Sequence, residues 1–394
     1  MLADRVAAKD AAPRGLGPAL RVVALEAALA LGLYLFLTSE HWGLTLGLLA
    51  LAGAGFLWLQ RNPELEARIT GWFAQARGVA ISLGSALAVA FPFLLGGDTY
   101  VLHLLIIAEL YAVLALALNF QLGSANIPNF ATGASYGIGG YASALLAVHF
   151  GVGFWGGLIA SAVVATFFGF VLGVPSMRTR ESYLALVTIA FGVVVHQIIN
   201  NVEWTGGPNG LVGIPSPSFF GHSFLDPIEL FGFSLPSQAN YYYVALVLIG
   251  LSIVVARRLH NSRIGLAWNA LRNDELAARC QGINVTWYKV LAFAVDAFLA
   301  AFAGTIFAFY VGYISPDNFT FLVSVTIMTM VIVGGMDNIF GVILGAFLLT
   351  VLPEKFRVFS DYRLLLYGVI VIAMLMVRPE GLFPKRLRRY GGGG

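Results

Sequence analysis

Residues 99–120 of this chain read TYVLHLLIIAELYAVLALALNF, in which His103 and Glu109 are the only ionisable side chains apart from tyrosine. A run of this length and apolarity matches the ~20 residues that a helix needs to cross the hydrocarbon core of a bilayer. It lies inside a longer stretch, from Gly78 to Met177, that contains neither lysine nor arginine. At ~20 residues each, this stretch has room for about five crossings, which no soluble domain core explains.

The composition of the whole chain agrees with a membrane protein. Of its 394 residues, 59% are hydrophobic and 11% are charged, and the mean hydropathy is +0.83. Soluble domains have roughly 25% charged residues. The single cysteine, Cys280, excludes an internal disulfide, and the spacing of a Cys/His zinc site is absent. The polar start, residues 1–15, is not followed by a small-residue cleavage site, so we expect no cleaved signal peptide.

Apolar runs recur along the chain and predict an all-α, polytopic bundle of transmembrane helices. The run at 124–147, SANIPNFATGASYGIGGYASALLA, contains Pro128 and several glycines among polar groups. Non-helical backbone at membrane depth must be covered by protein or line a cavity, so we expect a broken helix inside the bundle. The predicted runs, about twelve in all, are 21–38, 43–60, 78–96, 99–121, 124–147, 151–174, 181–199, 240–256, 288–313, 319–335, 337–353 and 363–378.

The distribution of lysine and arginine predicts the orientation. Residues 257–289 contain five arginines and one lysine, and the tail 384–394 contains three arginines and one lysine. Residues 200–239 contain neither and carry Glu203, Asp226 and Glu229. Short basic loops stay on the cytoplasmic side. We therefore expect both termini and the 257–289 loop to be cytoplasmic, and the 200–239 segment to be outside.

The sequence lacks the motifs of a catalytic domain. It has no G-x-x-x-x-G-K-[ST] phosphate loop and no H-E-x-x-H, and its G-x-S-x-G match, Gly133 to Gly137, lies within an apolar run. Ionisable groups within apolar runs leave an ion-coupled carrier as a possible function. The alternative roles are snorkelling for Glu26 and hydrogen bonding between helices for Glu109 and Asp296. These groups are Glu26, Glu109, Asp296, His103 and His196.

The loop at 257–289 contains a candidate docking element. The sequence from Leu266 to Arg279 predicts one short amphipathic helix, and Gly282 supplies the left-handed conformation that ends it. An exposed helix between two spans suits a cytoplasmic partner that has a groove for it. A solvated connector helix is the alternative interpretation.

The string ALRNDELAARCQGINVTWYK, residues 270–289, resembles the coupling loop of the permease subunits of ABC importers. The family is the one that carries branched-chain amino acids, ribose-type sugars and urea. Order and spacing of the matches are similar to those of the larger, M-type permease of branched-chain amino acid importers, from about Tyr111 to Phe383. The further matches are YLALVTIAFGVVVHQIINN (183–201), TGGPNGLVGIP (205–215), GYISPDNFTF (312–321), VIVGGMDNIFGVILGAFLL (331–349) and YGVIVIAMLMVRPEGLF (367–383).

The resemblance implies a subunit that conducts solute but does not hydrolyse ATP. Its expected partners are a homologous second permease, two cytoplasmic ATPase subunits that bind ATP and Mg, a periplasmic substrate-binding protein, and the lipid bilayer. No cofactor is expected in this chain, and no nucleic acid or metal site. The expected substrate is a branched-chain or related neutral amino acid; Thr132 stands where the family usually has a histidine, and urea or a short amide is the alternative.

Three groups of site residues follow from this resemblance. The expected coupling surface for the ATPases is Asp274, Glu275, Ala278, Arg279, Gly282 and Ile283. The expected substrate pathway is Asn119, Ser124, Asn126, Asn129 and Thr132, whose small or amide side chains offer hydrogen bonds without charge. Their alternative role is to satisfy backbone groups in a broken segment. The expected contact with the binding protein is Gly206, Gly207, Pro208, Asn209 and Gly210, which also fit a simple turn.

The predicted organisation has three parts. Residues 1–98 form an N-terminal extension with about three spans, residues 99–383 the permease core, and residues 384–394 a cytoplasmic tail. The resemblance implies roughly ten core spans in two related halves, with the Gly-Gly pairs at 139–140 and 334–335 in corresponding places. The expected location is the bacterial cytoplasmic (inner) membrane. A lone ion-coupled carrier and a non-transporting membrane scaffold are the competing functions.

Overall fold

The computed structural model describes residues 16–39, 41–175, 181–219, 221–230 and 233–355, and then 365, 368–369, 371–372, 376, 378 and 380–383. The helices are α1 (Leu16–Thr38), α2 (Trp42–Arg61), α3 (Pro63–Gln75), α4 (Arg77–Leu94), α5 (Thr99–Asn119), α6 (Thr132–Phe150), α7 (Phe154–Gly173), α8 (Glu181–Asn201), α9 (Gln238–His260), α10 (Arg263–Asn273), α11 (Glu275–Cys280), α12 (Val285–Val311), α13 (Phe321–Gly334) and α14 (Ile339–Lys355). The strands are β1 (Leu211–Val212), β2 (Ser218–Phe219), β3 (His222–Ser223), β4 (Ile228–Leu230), β5 (Phe233–Leu235) and β6 (Tyr313–Ile314).

The prediction of an all-α, polytopic membrane protein is confirmed. Within the described residues, 8 helices are long and apolar enough to cross a membrane. They are Gly17–Thr38, Arg77–Leu94, Thr99–Ser124, Phe154–Gly173, Tyr183–Asn201, Gln238–His260, Val285–Val311 and Pro316–Gly334. The run predicted at 337–353 forms α14, and the run at 43–60 forms α2. The run at 363–378 and the tail at 384–394 fall largely or wholly outside the described residues.

The chain divides into two compact units, of which the first comprises the chain up to Val101 together with Leu230–Leu235. Here α1 packs against α2, α3 and α4, and the guanidinium of Arg21 lies 4.9 Å from the centre of the Trp72 ring on α3. Only 11% of the apolar window of α1 is buried, and the same is true of α4. These helices therefore leave most of their apolar surface to face lipid or a partner. The assignment of residues 1–98 as an accessory extension stays a prediction.

The second unit, Leu102–Glu229 with Pro236–Gly394, is built around α12. This helix packs against α6 and α7, and its small residues allow the backbones to approach closely. A Cβ on Gly304 would collide with the carbonyl of Tyr136, and a Cβ on Gly139 would collide with Ala301. The second Gly-Gly pair works in the same way, because a Cβ on Gly334 would collide with the backbone of Gly341. The correspondence of the two pairs in related halves stays a prediction.

The broken helix predicted inside 124–147 is confirmed. Helix α5 ends in a π-helical turn at Phe120–Ser124, the chain is non-helical from Ala125 to Ala131, and α6 begins at Thr132. Most residues of this segment and of α6 are buried. Irregular backbone is thus covered by protein, as membrane depth requires.

The segments 200–239 and 257–289 lie at opposite ends of α9. This helix has 23 residues, and at 1.5 Å per residue it is about 35 Å long. The 200–239 segment carries two 3-10 turns and short strands, and its β1 pairs antiparallel with β6, which follows α12. The separation fits the prediction that the two segments lie on opposite sides of a membrane; which side is cytoplasmic stays a prediction.

Candidate coupling site and buried polar clusters

The expected docking element consists of two helices, and the prediction of one continuous helix over Leu266–Arg279 is wrong. Helix α10 ends at Asn273, and Asp274 is extended, with φ −161° and ψ 112°. Its carboxylate accepts hydrogen bonds from the backbone N–H groups of Leu276 and Ala277 at 2.8 and 3.0 Å. Asp274 is therefore the N-cap of α11, and an N-cap has non-helical backbone. Gly282, at φ 80°, follows α11 as predicted.

Helix α10 is anchored in the protein. Trp268 is only 1% exposed, and its indole Nε1 donates to the carbonyl of Tyr288 at 2.9 Å. Its ring lies 6.1 Å from that of Phe120 in the π-helical turn. Gly265 leaves no room for a Cβ beside the carbonyls of Leu259 and His260. These contacts fix α10 against the ends of α9, α5 and α12.

Helix α11 presents a different surface. Leu276 is 71% exposed, and Ala277 is also exposed. The buried side of α11 is a single residue, Ala278, which packs in a cluster with Leu271 and Val285. The sequence reasoning did not select Leu276. The sequence feature that marks Leu276 is an apolar side chain on the outer face of a helix that is otherwise flanked by charged residues.

The structure separates the six expected coupling residues into two sets. Asp274, Arg279 and Gly282 are exposed. Ala278 is buried, and Ile283 packs against the cluster around Leu271. Glu275 is half-buried between two cations: its carboxylate lies 2.7 Å from the Lys289 Nζ and 2.9 Å from an Arg279 nitrogen. Their role in coupling stays a prediction, in which the exposed set would contact a partner and the other set would support it.

A buried carboxylate, Asp337, lies between α13 and α14 where three segments meet. Its Oδ1 accepts from the Ser124 hydroxyl at 2.7 Å, and its backbone N–H donates to Asn119 Oδ1 at 2.8 Å. The Nη1 of Arg272, on α10, lies 3.9 Å from the Oδ2 of Asp337. The same nitrogen donates a hydrogen bond to the Gly123 carbonyl at 2.7 Å. Helix α10 and the loop that carries Asp337 are thereby joined to the end of α5 and its π-helical turn.

A second polar cluster lies within the bundle, on α12. Asp296 is 1% exposed and accepts hydrogen bonds from Asn129 Nδ2 at 2.9 Å and from the Thr132 hydroxyl at 3.1 Å. Asn129 also accepts from the backbone N–H of Ala131 at 2.8 Å. The cluster fixes the end of the broken segment to α12, which satisfies a carboxylate that would be costly to bury alone.

Four of the five expected pathway residues divide between these two polar clusters. Asn119 and Ser124 bind Asp337, and Asn129 and Thr132 bind Asp296. Asn126 is exposed and has a left-handed backbone, with φ 56°. That any of the five contacts substrate stays a prediction.

Glu109 differs from Asp296 although both are buried carboxylates in membrane-spanning helices. Its Oε2 has no hydrogen-bond partner among the described residues, and the same holds for His196 Nε2. No group of three or more His, Cys, Asp or Glu side chains suited to a metal ion occurs in the described part of the chain. The functional roles of Glu109, Asp296 and His196 stay predictions.

The segment expected to contact a binding protein forms tight turns beside β6. Gly206, Gly207 and Gly210 have φ of 85°, 54° and 74°, a region that favours glycine. The Tyr313 hydroxyl donates to the Asn209 carbonyl at 3.1 Å. The turn prediction is confirmed, and contact with a binding protein stays a prediction.

Comparison with known proteins identifies the family. Residues 100–377 match the branched-chain amino acid transport system / permease component family. The chain belongs to this family. It is 40% identical over 311 residues to the high-affinity branched-chain amino acid transport system permease protein LivM of Escherichia coli (strain K12). The aligned region covers 76% of this chain and 73% of LivM.

Two further members of the permease family are more distant. The probable LivM permease of Methanocaldococcus jannaschii is 26% identical over 329 residues, covering 70% of this chain and 91% of that protein. LivH of Escherichia coli (strain K12) is 26% identical over 285 residues, covering 69% of this chain and 90% of LivH. No solved structure matches the chain. The chain is thus a multi-pass membrane permease, which the M-type resemblance predicted.

Proposed function

We propose that this chain is one of two permease subunits of an ATP-driven importer for branched-chain amino acids in the bacterial inner membrane. The observation that carries the proposal is the similarity to LivM over 311 residues, a span long enough to include most of the permease core. LivH is similar to the same chain, which supports a pair of homologous permeases that line one pathway together.

In this proposal ATP hydrolysis takes place in two separate cytoplasmic subunits. The exposed face of α11, with Leu276 at its centre and Asp274, Arg279 and Gly282 around it, docks into them. An exposed helix that offers an apolar anchor with a polar rim is the form of ligand that a helix-binding groove recognises. Both termini then lie in the cytoplasm, and the 200–239 segment faces the binding protein.

The broken segment forms the wall of the pathway. Asn119, Ser124, Asn129 and Thr132 hold its shape, because their side chains are engaged by Asp337 and Asp296. Asn126 faces the pathway, since it is exposed between the two anchored ends. An amide at this place binds a passing solute without fixed charge, which keeps the solute from being held tightly.

Reconstitution tests the proposal. The chain, its partner permease and both ATPases are placed in proteoliposomes with the binding protein outside, and uptake of labelled leucine, isoleucine, valine, urea and acetamide is measured. We expect uptake of the amino acids that requires internal ATP and the binding protein and persists with a protonophore. Uptake by this chain alone, or its loss with the protonophore while ATP is maintained, would contradict the proposal and favour an ion-coupled carrier.

A further inference from the structure

The contacts around Asp337 connect parts of the chain that are far apart in sequence. Ser124 and Asp337 are separated by 213 positions, and Arg272 and Gly123 by 149. A Cβ on Gly123 would collide with Asn119 and with the backbone of Asp337, so the π-helical turn can approach this closely only with glycine there. π-helical turns occur frequently at functional sites.

The backbone of Asp337 is held in place from the other side. Asp337 has φ 65°, a left-handed conformation that non-glycine residues adopt only rarely. The neighbouring Asn338 donates from Nδ2 to the Phe383 carbonyl at 2.8 Å, and the backbone N–H of Phe383 donates to the carbonyl of Gly334 at 3.1 Å. The loop that carries Asp337 is therefore tied to the end of α13.

Two basic side chains lie near the Asp337 carboxylate. Asp337 lies 3.7 Å from His260 Nδ1 and 3.9 Å from Arg272 Nη1, and the short hydrogen bond of Arg272 goes to Gly123 instead. The Arg272 side chain is 21% exposed and that of Asp337 is 8% exposed. A partly buried carboxylate keeps a strong attraction for a nearby guanidinium, so Arg272 has two acceptors within reach, the Gly123 carbonyl and the Asp337 carboxylate.

The same turn leads directly to the second polar cluster. Ser124 ends the π-helical turn, and Asn129 and Thr132, which bind Asp296, lie at the far end of the non-helical segment. The non-helical segment is therefore held at one end through Ser124 and Asp337, and at the other end through Asp296.

We infer that Arg272 is a positioning residue for transport, and that Arg272, Asp337, Ser124 and the Gly123 carbonyl form a joint through which α10 moves the broken segment. The inference rests on the proposed function. Coupling between the ATPase-docking surface and the transport pathway requires a structural element with two arrangements, whose balance each of the two shifts. The joint supplies this element: Arg272 is bound mainly to Gly123 in one arrangement and mainly to Asp337 in the other.

The test uses the complete reconstituted importer with Arg272→Gln. The matched control is Arg263→Gln, which removes the same charge from an exposed position of the same helix. Three quantities are measured: co-purification of the ATPases, the rate of ATP hydrolysis, and solute imported per ATP. For Arg272→Gln we expect co-purification and hydrolysis within about twofold of wild type and import per ATP lowered about tenfold, a size typical of coupling between sites. Arg263→Gln should leave all three unchanged.

A double variant keeps the test decisive if removal of Arg272 alone impairs folding. Arg272→Gln with Asp337→Asn removes both charges, so no uncompensated carboxylate remains buried. We expect its thermal stability to recover toward wild type while import per ATP stays low. Wild-type import per ATP in either Arg272 variant would overturn the joint. A wild-type complex that imports nothing with ATP would overturn both the proposed function and the joint. The two failures are therefore distinguishable, because the previous result overturns the joint alone.

Discussion

Helices α10 and α11 are adjacent in sequence but differ in what they contact. Helix α10 buries Trp268 and Leu271 and is bonded to the bundle through Arg272, whereas α11 buries only Ala278 and exposes Leu276. The break between them is one residue, Asp274. This difference is what the proposed function requires, in which α11 contacts the ATPases and α10 transmits their movement to the permease.

The largest expected effect is on the anchored helix. Trp268→Ala should destabilise the protein by about 3–5 kcal/mol, because it leaves a cavity at a fully buried aromatic and removes the hydrogen bond to Tyr288. The matched control is Trp287→Ala, at a tryptophan that is 52% exposed. The stability losses of both variants are measured by thermal unfolding in detergent, in which the fraction of protein that stays monodisperse is monitored. Equal losses in the two variants would contradict the anchoring role of α10.

The next effect is on the exposed helix and should spare stability. Leu276→Asp should lower retention of the ATPases about tenfold or more, as loss of a central apolar anchor does in other interfaces, with unfolding temperature unchanged. Leu266→Asp provides the comparison, because Leu266 is 46% exposed but lies on α10. If Leu266→Asp released the ATPases as strongly, the docking surface would not be confined to α11.

A smaller effect is expected at the end of α11. Gly282 has φ 80°, and a Cβ there would meet nothing within 4 Å, so only the backbone conformation opposes substitution. Gly282→Ala should cost roughly 1 kcal/mol and weaken ATPase retention in proportion, because the left-handed conformation is disfavoured for alanine. Gly282→Asn should cost less, since asparagine adopts this conformation more readily. Unfolding curves that rank the two variants in the opposite order would contradict this account of the turn.

The sequence predicts the helical bundle and the broken segment because both depend on local composition. Long apolar runs need no tertiary contact to be recognised, and Pro128 with the glycines of 124–147 marks irregular backbone directly. The left-handed turn at Gly282 is predictable for the same reason.

The polar clusters around Asp337 and Asp296 depend on contacts between residues that are distant in sequence. Asn129 and Asp296 are 167 positions apart, and nothing in either local sequence indicates the other. The break at Asp274 is not evident in the sequence because an aspartate also fits the polar face of a continuous helix. In the sequence, Arg272 is one of the basic residues of 257–289 that indicate orientation, and its contacts with Gly123 and Asp337 depend on how α5, α10 and the loop after α13 assemble.

The smallest perturbation is chemical modification, which in the wild-type chain needs no substitution near the docking surface. Cys280 is the single cysteine of the chain, and it is exposed at the end of α11. A membrane-impermeant thiol reagent should modify it in inverted vesicles, and bound ATPases should slow this modification severalfold, because a partner that covers Leu276 also limits access one turn away. The control is Ser216→Cys with Cys280→Ser; Ser216 is exposed at the opposite end of α9, so its modification should occur from the other side and should not respond to the ATPases. Unchanged modification of Cys280 in a complex that retains its ATPases would place the docking surface elsewhere, and modification of both cysteines from one side would overturn the orientation.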